Sequence, residues 1–332
     1  MKPPLPLLME GGEMKQVNLP LLWKGGGRGW FYQFFKTFIK KSLQWANCPL
    51  PNHYISMKTK ISQSFLLFLI LFLVFSCDKE KETTNTVNPL DGNTKLYEGY
   101  ALGAAAKVEI WGAKNYFTGY NKLKVVVYDS LHITEKITDA QVSFYPEMTM
   151  KMSSMTVIHT APVENPVSES VNGVFEGVVV FQMPSTADGT WKLDVKVINK
   201  NGKTGKVTAN ITVDNPTNPV CKAITTTDNI SLIVAMVKPI NPQVGVNDFE
   251  LTIHKKVSMM QFPNDDSYTV EITPEMPSMG HGSPNNVNPV LTTNGHYLGK
   301  VNFTMTGTWR INVLLKKNDQ AVSSNLYFDI TF

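Results

Sequence analysis

The chain has 332 residues, 42% of them hydrophobic and 17% charged, with a formal net charge of +4. Its first 77 residues hold nine of the 31 Lys and Arg and two of the 27 Asp and Glu, so the remainder carries 22 against 25, a net −3. That removes the clustered basic face that nucleic-acid binding requires.

Residues 1–56 contain Pro and Gly clusters (Pro3, Pro4, Pro6, Gly25 to Gly27) and no sustained periodicity. Met57 stands where a signal peptide would start, so 1–56 reads as an upstream extension from a mis-assigned start and stays out of the fold reasoning. Residues 57–76 read as a secretory signal, with positive Lys58 and Lys60, the apolar run Phe65 to Phe75 and small Ser76. The run is shorter than the ~20 apolar residues of a membrane span. Val74-Phe75-Ser76-Cys77 resembles a lipobox, which implies that Cys77 is lipidated and anchors the mature chain to a membrane. Phe75 departs from the small residue usual at its place. Residues 77–94 follow as a flexible tether, with the charged run Asp78 to Glu82 at its start. That run is similar to the surface-export signals of lipoproteins in Bacteroidota-type bacteria. The resemblance implies an outer-membrane location, periplasmic or surface-exposed.

The stretch after residue 94 is too long for one small sandwich and suits two. It holds an internal repeat. Pro146-Glu147-Met148, Asn172-Gly173, Met183 and Gly189-Thr190-Trp191 recur as Pro274-Glu275-Met276, Asn294-Gly295, Met305 and Gly307-Thr308-Trp309. The offset runs from 128 to 122 to 118, so two indels of six and four residues account for it. Each copy reads as short strands, with period-two alternation along Trp191 to Val197 and Trp309 to Val313. Asn172-Gly173, Asn201-Gly202 and Asn294-Gly295 read as hairpin turns. The fold expected is all-β, two tandem immunoglobulin-like sandwiches over residues 95–214 and 220–332. The Pro/Asn segment Asp214 to Pro219 is expected to be a joint that few contacts cross.

After removal of the leader only Cys77 and Cys221 remain, which rules out an intramolecular disulfide framework. Cys221 reads as a small buried hydrophobe. Hydrolase, nucleotide and zinc-protease motifs are missing, and His132, His254 and His296 stand alone, so no enzyme is expected.

Asn241-Pro242, Glu275-Met276-Pro277-Ser278-Met279-Gly280-His281, Asn294 to Tyr297 and Met305 to Trp309 together resemble the YtkA-like domain, related to the FixH family. The first copy matches more loosely. The resemblance implies an extracytoplasmic β-sandwich and suggests copper handling or oxidase maturation.

Met148, Met150 and Met152 share one parity of an extended chain, and Met155 and His159 follow. Met276, Met279 and His281 occupy the same place in the second copy, because His159 and His281 differ by the local offset of 122. Met155 falls on the other parity and needs a bend to join the rest. Met183 and Met305 are assigned to core. Met and His together outside the cytoplasm suit a soft cation, Cu(I), better than calcium or zinc. The expected function is a lipid-anchored, copper-binding chaperone, buffer or delivery protein, with a protein partner in metal transfer or oxidase assembly. The rival, without metal, is a surface structural or protein-interaction module in which these methionines are packing or partner contact, or an oxidase assembly factor that docks by protein contacts.

Overall fold

The computed structural model describes residues 7–10, 13–16 and 88–332, in two compact units, 1–83 and 84–332. The signal segment, Cys77 and the tether up to residue 87 lie outside the described residues. In the first unit Leu7–Glu10 (β1) pairs antiparallel with Glu13–Gln16 (β2).

The first repeat comprises Thr94–Ala101 (β3), Ala106–Gly112 (β4), Tyr116–Phe117 (β5), Gly119–Asp129 (β6), Ala140–Met152 (β7), Met155–His159 (β8), Val163–Glu164 (β9), Phe175–Phe181 (β10), Gly189–Asn199 (β11), Thr204–Ile211 (β12) and Val213–Asp214 (β13). The second comprises Cys221–Thr225 (β14), Ser231–Lys238 (β15), Gly245–Lys255 (β16), Thr269–Met276 (β17), His281–Gly282 (β18), Val287–Thr293 (β19), His296–Phe303 (β20), Thr308–Lys317 (β21), Gln320–Ala321 (β22) and Tyr327–Thr331 (β23). One sheet of the first repeat runs β3-β4-β6-β10-β9 and faces a second, β12-β11-β7-β8. The later repeat reproduces both orders, as β14-β15-β16-β20-β19 and as β23-β21-β17-β18, with β22 a short addition on β21. The duplication read in the sequence is therefore a duplication of topology, and the fold is all-β, two immunoglobulin-like sandwiches.

Each sandwich closes on its own core, because inward residues of β7 and β11 (or β17 and β21) alternate with outward ones. Trp191 and Trp309 lie fully inside. A buried indole N–H needs an acceptor, and the two find equivalent ones: Trp191 Nε1 donates to the Met183 carbonyl at 3.0 Å and Trp309 Nε1 to the Met305 carbonyl at 2.9 Å. Met305 is a correction to the sequence reading. It lies past the end of β20 and is 37% exposed, so its carbonyl rather than its thioether serves the core. Two glycines match likewise. A Cβ on Gly177 would stand 2.7 Å from the Glu164 carbonyl oxygen, and one on Gly299 would strike that of Val287. In both repeats the edge strand thus lies directly over a bare backbone. Asn172-Gly173 and Asn294-Gly295 have positive φ at both positions, as a two-residue hairpin turn demands.

The joint differs from expectation. Strands β10 and β15 are buried on both faces, and Val178, Val180, Ile233 and Ala235 pack together across the repeats. Cys221 joins that cluster, and burial pushes its thiol up to about 12, far from the reactive range. Beside the cluster, His296 Nδ1 meets Glu250 at 2.7 Å and its Nε2 meets Glu164 of the first repeat at 3.0 Å. Tyr120 donates to Glu164 at 2.9 Å and Lys238 pairs with Glu250 at 2.8 Å. Contacts were expected to be sparse because the Asp214 to Pro219 segment is polar. The packing comes instead from continuous apolar runs, Val178 to Phe181 and Leu232 to Val237, with a side chain for each face.

Protease cleavage within 214–219 should therefore yield two fragments that stay together on gel filtration; fragments that separate at once would show the shared cluster to be too weak to hold the repeats. The pH dependence of stability follows from two histidines. Burial opposes a charge on His296, but the hydrogen bonds and charges of Glu164 and Glu250 outweigh it and raise its pKa. Its contribution is full below pH ~6.5 and is lost as pH rises through the folded value. Fully buried His254 goes the other way. Burial pushes it down to about 4, so folding gains stability from neutral His254 above pH ~6.5 and loses on the order of 3 kcal/mol as pH falls to about 4. Urea unfolding across pH 4 to 9 should give a stability maximum near neutrality, and His296→Gln should flatten the alkaline limb alone. A flat wild-type profile above pH ~6.5 would remove His296 from the joint.

Candidate metal centre

The site begins as a hairpin. In β7–β8, Met148 pairs with His159, Met150 with Val157 and Met152 with Met155. Directly paired residues share a face, and so do residues two apart along a strand. Met148, Met150, Met152, Met155 and His159 therefore line one face of one ribbon, in rows roughly 6.8 Å apart. The bend that Met155 needed is the two-residue turn Ser153-Ser154, which reverses the chain and restores parity.

Exposure falls steeply along that face. Met152 and Met155 at the tip are 56% and 58% exposed, while Met148 and His159 at the base are 1% and 5% exposed. The base row continues onto β11, where Trp191 pairs with Met148. The His159 ring meets the Trp191 ring edge-to-face at 5.4 Å. Met148 lies over Gly189, where a Cβ would stand 2.5 Å from its terminal methyl, so it fills the core shelf beside Trp191.

The second repeat keeps only the base of this design. Met276 pairs with His281, and a four-residue turn closes the hairpin at once. The six-residue indel thus corresponds to four further cross-strand pairs and a tighter turn in the first repeat. Met276 is buried at 3% and packs against Gly307 as Met148 does against Gly189. His281 meets Trp309 at 5.7 Å, and Met279 stands 59% exposed in the turn. The structure therefore divides each predicted set: Met148, His159 and Met276 are buried, Met152, Met155 and Met279 lie outside, and Met150 and His281 lie between.

His159 is in the form a metal would bind. Its Nδ1 lies 3.1 Å from the Thr160 carbonyl, which can only accept, so the proton sits on Nδ1 and the Nε2 lone pair is free. That Nε2 is buried without a hydrogen-bond partner. Burial lowers the pKa of His159, and nearby Lys256 lowers it further against the opposing pull of the Thr160 hydrogen bond. Neutral imidazole and thioether are the ligand types a soft monovalent cation selects. Among the described residues no group of three or more His, Cys, Asp and Glu could hold a metal. The soft donors on this hairpin are the methionines and His159.

His159 and Met150 also line a cavity of about 280 Å3 together with Gln182 and Met183, and with Lys256 and Met259 from the second repeat. Sequence reasoning missed Met259, whose adjacent pair Met259-Met260 has no counterpart in the first copy; Met183, read as core, packs against the first core and also borders the cavity.

Comparison with solved structures finds similarity to the Escherichia coli adhesin FdeC at 14% identity and TM-score 0.21, covering 71% of this chain and 66% of that one. It also finds red sea bream transglutaminase at 13% identity and TM-score 0.18, covering 65% of this chain and 29% of that one. The chain thus spans less than two thirds of either protein. Comparison with curated proteins gives no match. The family model that does match covers residues 231–314, most of the second repeat, and that segment is YtkA-like.

Proposed function

We propose that the protein is a non-enzymatic, extracytoplasmic copper-binding module, anchored to the outer membrane through Cys77 and passing Cu(I) to a protein partner. One observation carries the reading: a single hairpin face runs from the exposed thioethers of Met152 and Met155, past Met150, to the buried and neutral His159, whose Nε2 has no partner. Exposed sulfur at the tip gives a partner access, and soft neutral donors along the face hold Cu(I) without asking it to lose charge to a carboxylate. A YtkA-like β-sandwich also fits a structural or interaction module, in which the tip methionines would be a contact surface for another protein.

Anaerobic competition with a chromogenic Cu(I) chelator separates the two. Wild type should withdraw copper from the chelator, and the quintuple Met148→Leu, Met150→Leu, Met152→Leu, Met155→Leu, His159→Ala protein should not; Leu holds the volume of Met while deleting sulfur. Because burial lowers the His159 pKa, affinity should stay level as pH falls through ~6.5 and decline only below it. No competition by wild type would leave the interaction module as the answer.

A further inference from the structure

We infer that the metal is held not at the exposed hairpin tip but in the cavity between the repeats, with Met259 of the second repeat completing a set formed by His159, Met150 and Met183 of the first, beside Gln182. The inference rests on the copper reading and specifies its site.

Thr160 organises it. Its carbonyl accepts from His159 Nδ1 at 3.1 Å and from Gln182 Nε2 at 2.9 Å, and its N–H donates to the Met259 carbonyl at 2.9 Å. The backbone of one residue, through its two flanking peptide groups, thus fixes the ring, the amide and the partner loop together. The consequence lies on the far side of each group. With Nδ1 and the amide nitrogen committed as donors, His159 Nε2 and Gln182 Oε1 are both left as acceptors, and both are buried without a partner. Two unpaired lone pairs on residues of one cavity disfavour an anion and call for a cation or a donor. Orphaned buried acceptors are destabilising, and the two residues that carry them border the same cavity.

The rest of the lining says which. Met150, Met183 and Met259 bring thioethers, and among the described residues no Asp, Glu or Cys borders the cavity. Lys256 does border it. Its ammonium repels a divalent ion twice as strongly as a monovalent one at the same distance, since Coulomb energy scales with charge. The thioethers and the neutral imidazole beside Lys256 therefore favour Cu(I), or Ag(I) as its redox-inert substitute, over Cu(II) and zinc, with the harder Gln182 oxygen bordering the site. The tip pair Met152 and Met155 then serves as the place where a donor protein's metal is first touched. Because Met259 comes from the other repeat, metal binding reinforces the docking of the two sandwiches, by the linkage that ties any ligand to the state it binds.

The test uses the full chain with Ag(I) as probe, and Cu(I) under chelator competition. Methyl NMR of 13C-methionine protein should show the Met150, Met183 and Met259 resonances shifting on Ag(I) addition, with Met152 and Met155 unmoved. Met259→Leu should weaken Cu(I) binding about tenfold or more, whereas the double Met152→Leu, Met155→Leu protein should stay within about threefold of wild type. Thermal unfolding of the apo variants identifies a misfolded one, and Met259→Gln, which retains a neutral donor of similar length, should bind more tightly than Met259→Leu. If Met259→Leu binds as wild type does while the tip double variant loses copper, the cavity assignment is wrong and the copper function stands at the tip. If wild type binds neither Ag(I) nor Cu(I), both fail.

Discussion

The indole N–H of a buried tryptophan sets the geometry on which both repeats rely. Trp191 and Trp309 each give that proton to the backbone carbonyl of a methionine beyond the preceding strand. An unmade bond there would cost the full desolvation of the donor, ~1–3 kcal/mol, so the connection into the Trp strand is held to one path. With β11 fixed, Trp191 faces Met148 across the ladder, Met148 faces His159, and the hairpin face follows from the period of two. A one-residue slip would turn every methionine of that face to the other side of the sheet. The candidate site is thus a downstream consequence of packing a tryptophan.

The two copies share this base and diverge above it. In the second, the hairpin closes immediately after Met276 and His281, leaving His281 partly exposed beside Trp309 with one outer methionine. In the first, four more pairs extend the ribbon past the sandwich, and the second repeat's loop folds back against its base. His159 is packed against Trp191 of its own repeat and borders a cavity shared with the second. The duplicated unit supplies the row, and the longer hairpin brings it to that cavity.

How much of this was legible follows from the range of each interaction. Strands near Trp191 and Trp309 were readable because one face is wet, and alternation survives in the sequence. The parity of Met148, Met150 and Met152 was readable for the same reason, and that of Met155 was not, since a two-residue turn resets it. The joint was not legible in its polar connector, because the packing comes from strands on either side of it. The informative residues were Val178, Val180, Ile233 and Ala235, which are surplus to a one-faced strand. His296 looked solitary in sequence because Glu164 lies 132 residues away. Met259 had no readable role, since its position depends on how two finished domains meet.

That meeting joins two kinds of chemistry. On one side of the apolar cluster, His296 draws Glu164 and Glu250 together and is most favoured when charged. At the cavity, His159 is most favoured when neutral, because burial and Lys256 both oppose its proton. A fall in pH therefore strengthens the clasp and eventually protonates His159, and a rise does the reverse. Between those limits His296 can be charged while His159 is neutral, so the repeats are held together under the conditions in which His159 Nε2 keeps its lone pair. The polar clasp and the soft cavity need opposite protonation of the same residue type, and burial against carboxylates in one case and against a lysine in the other is what separates them.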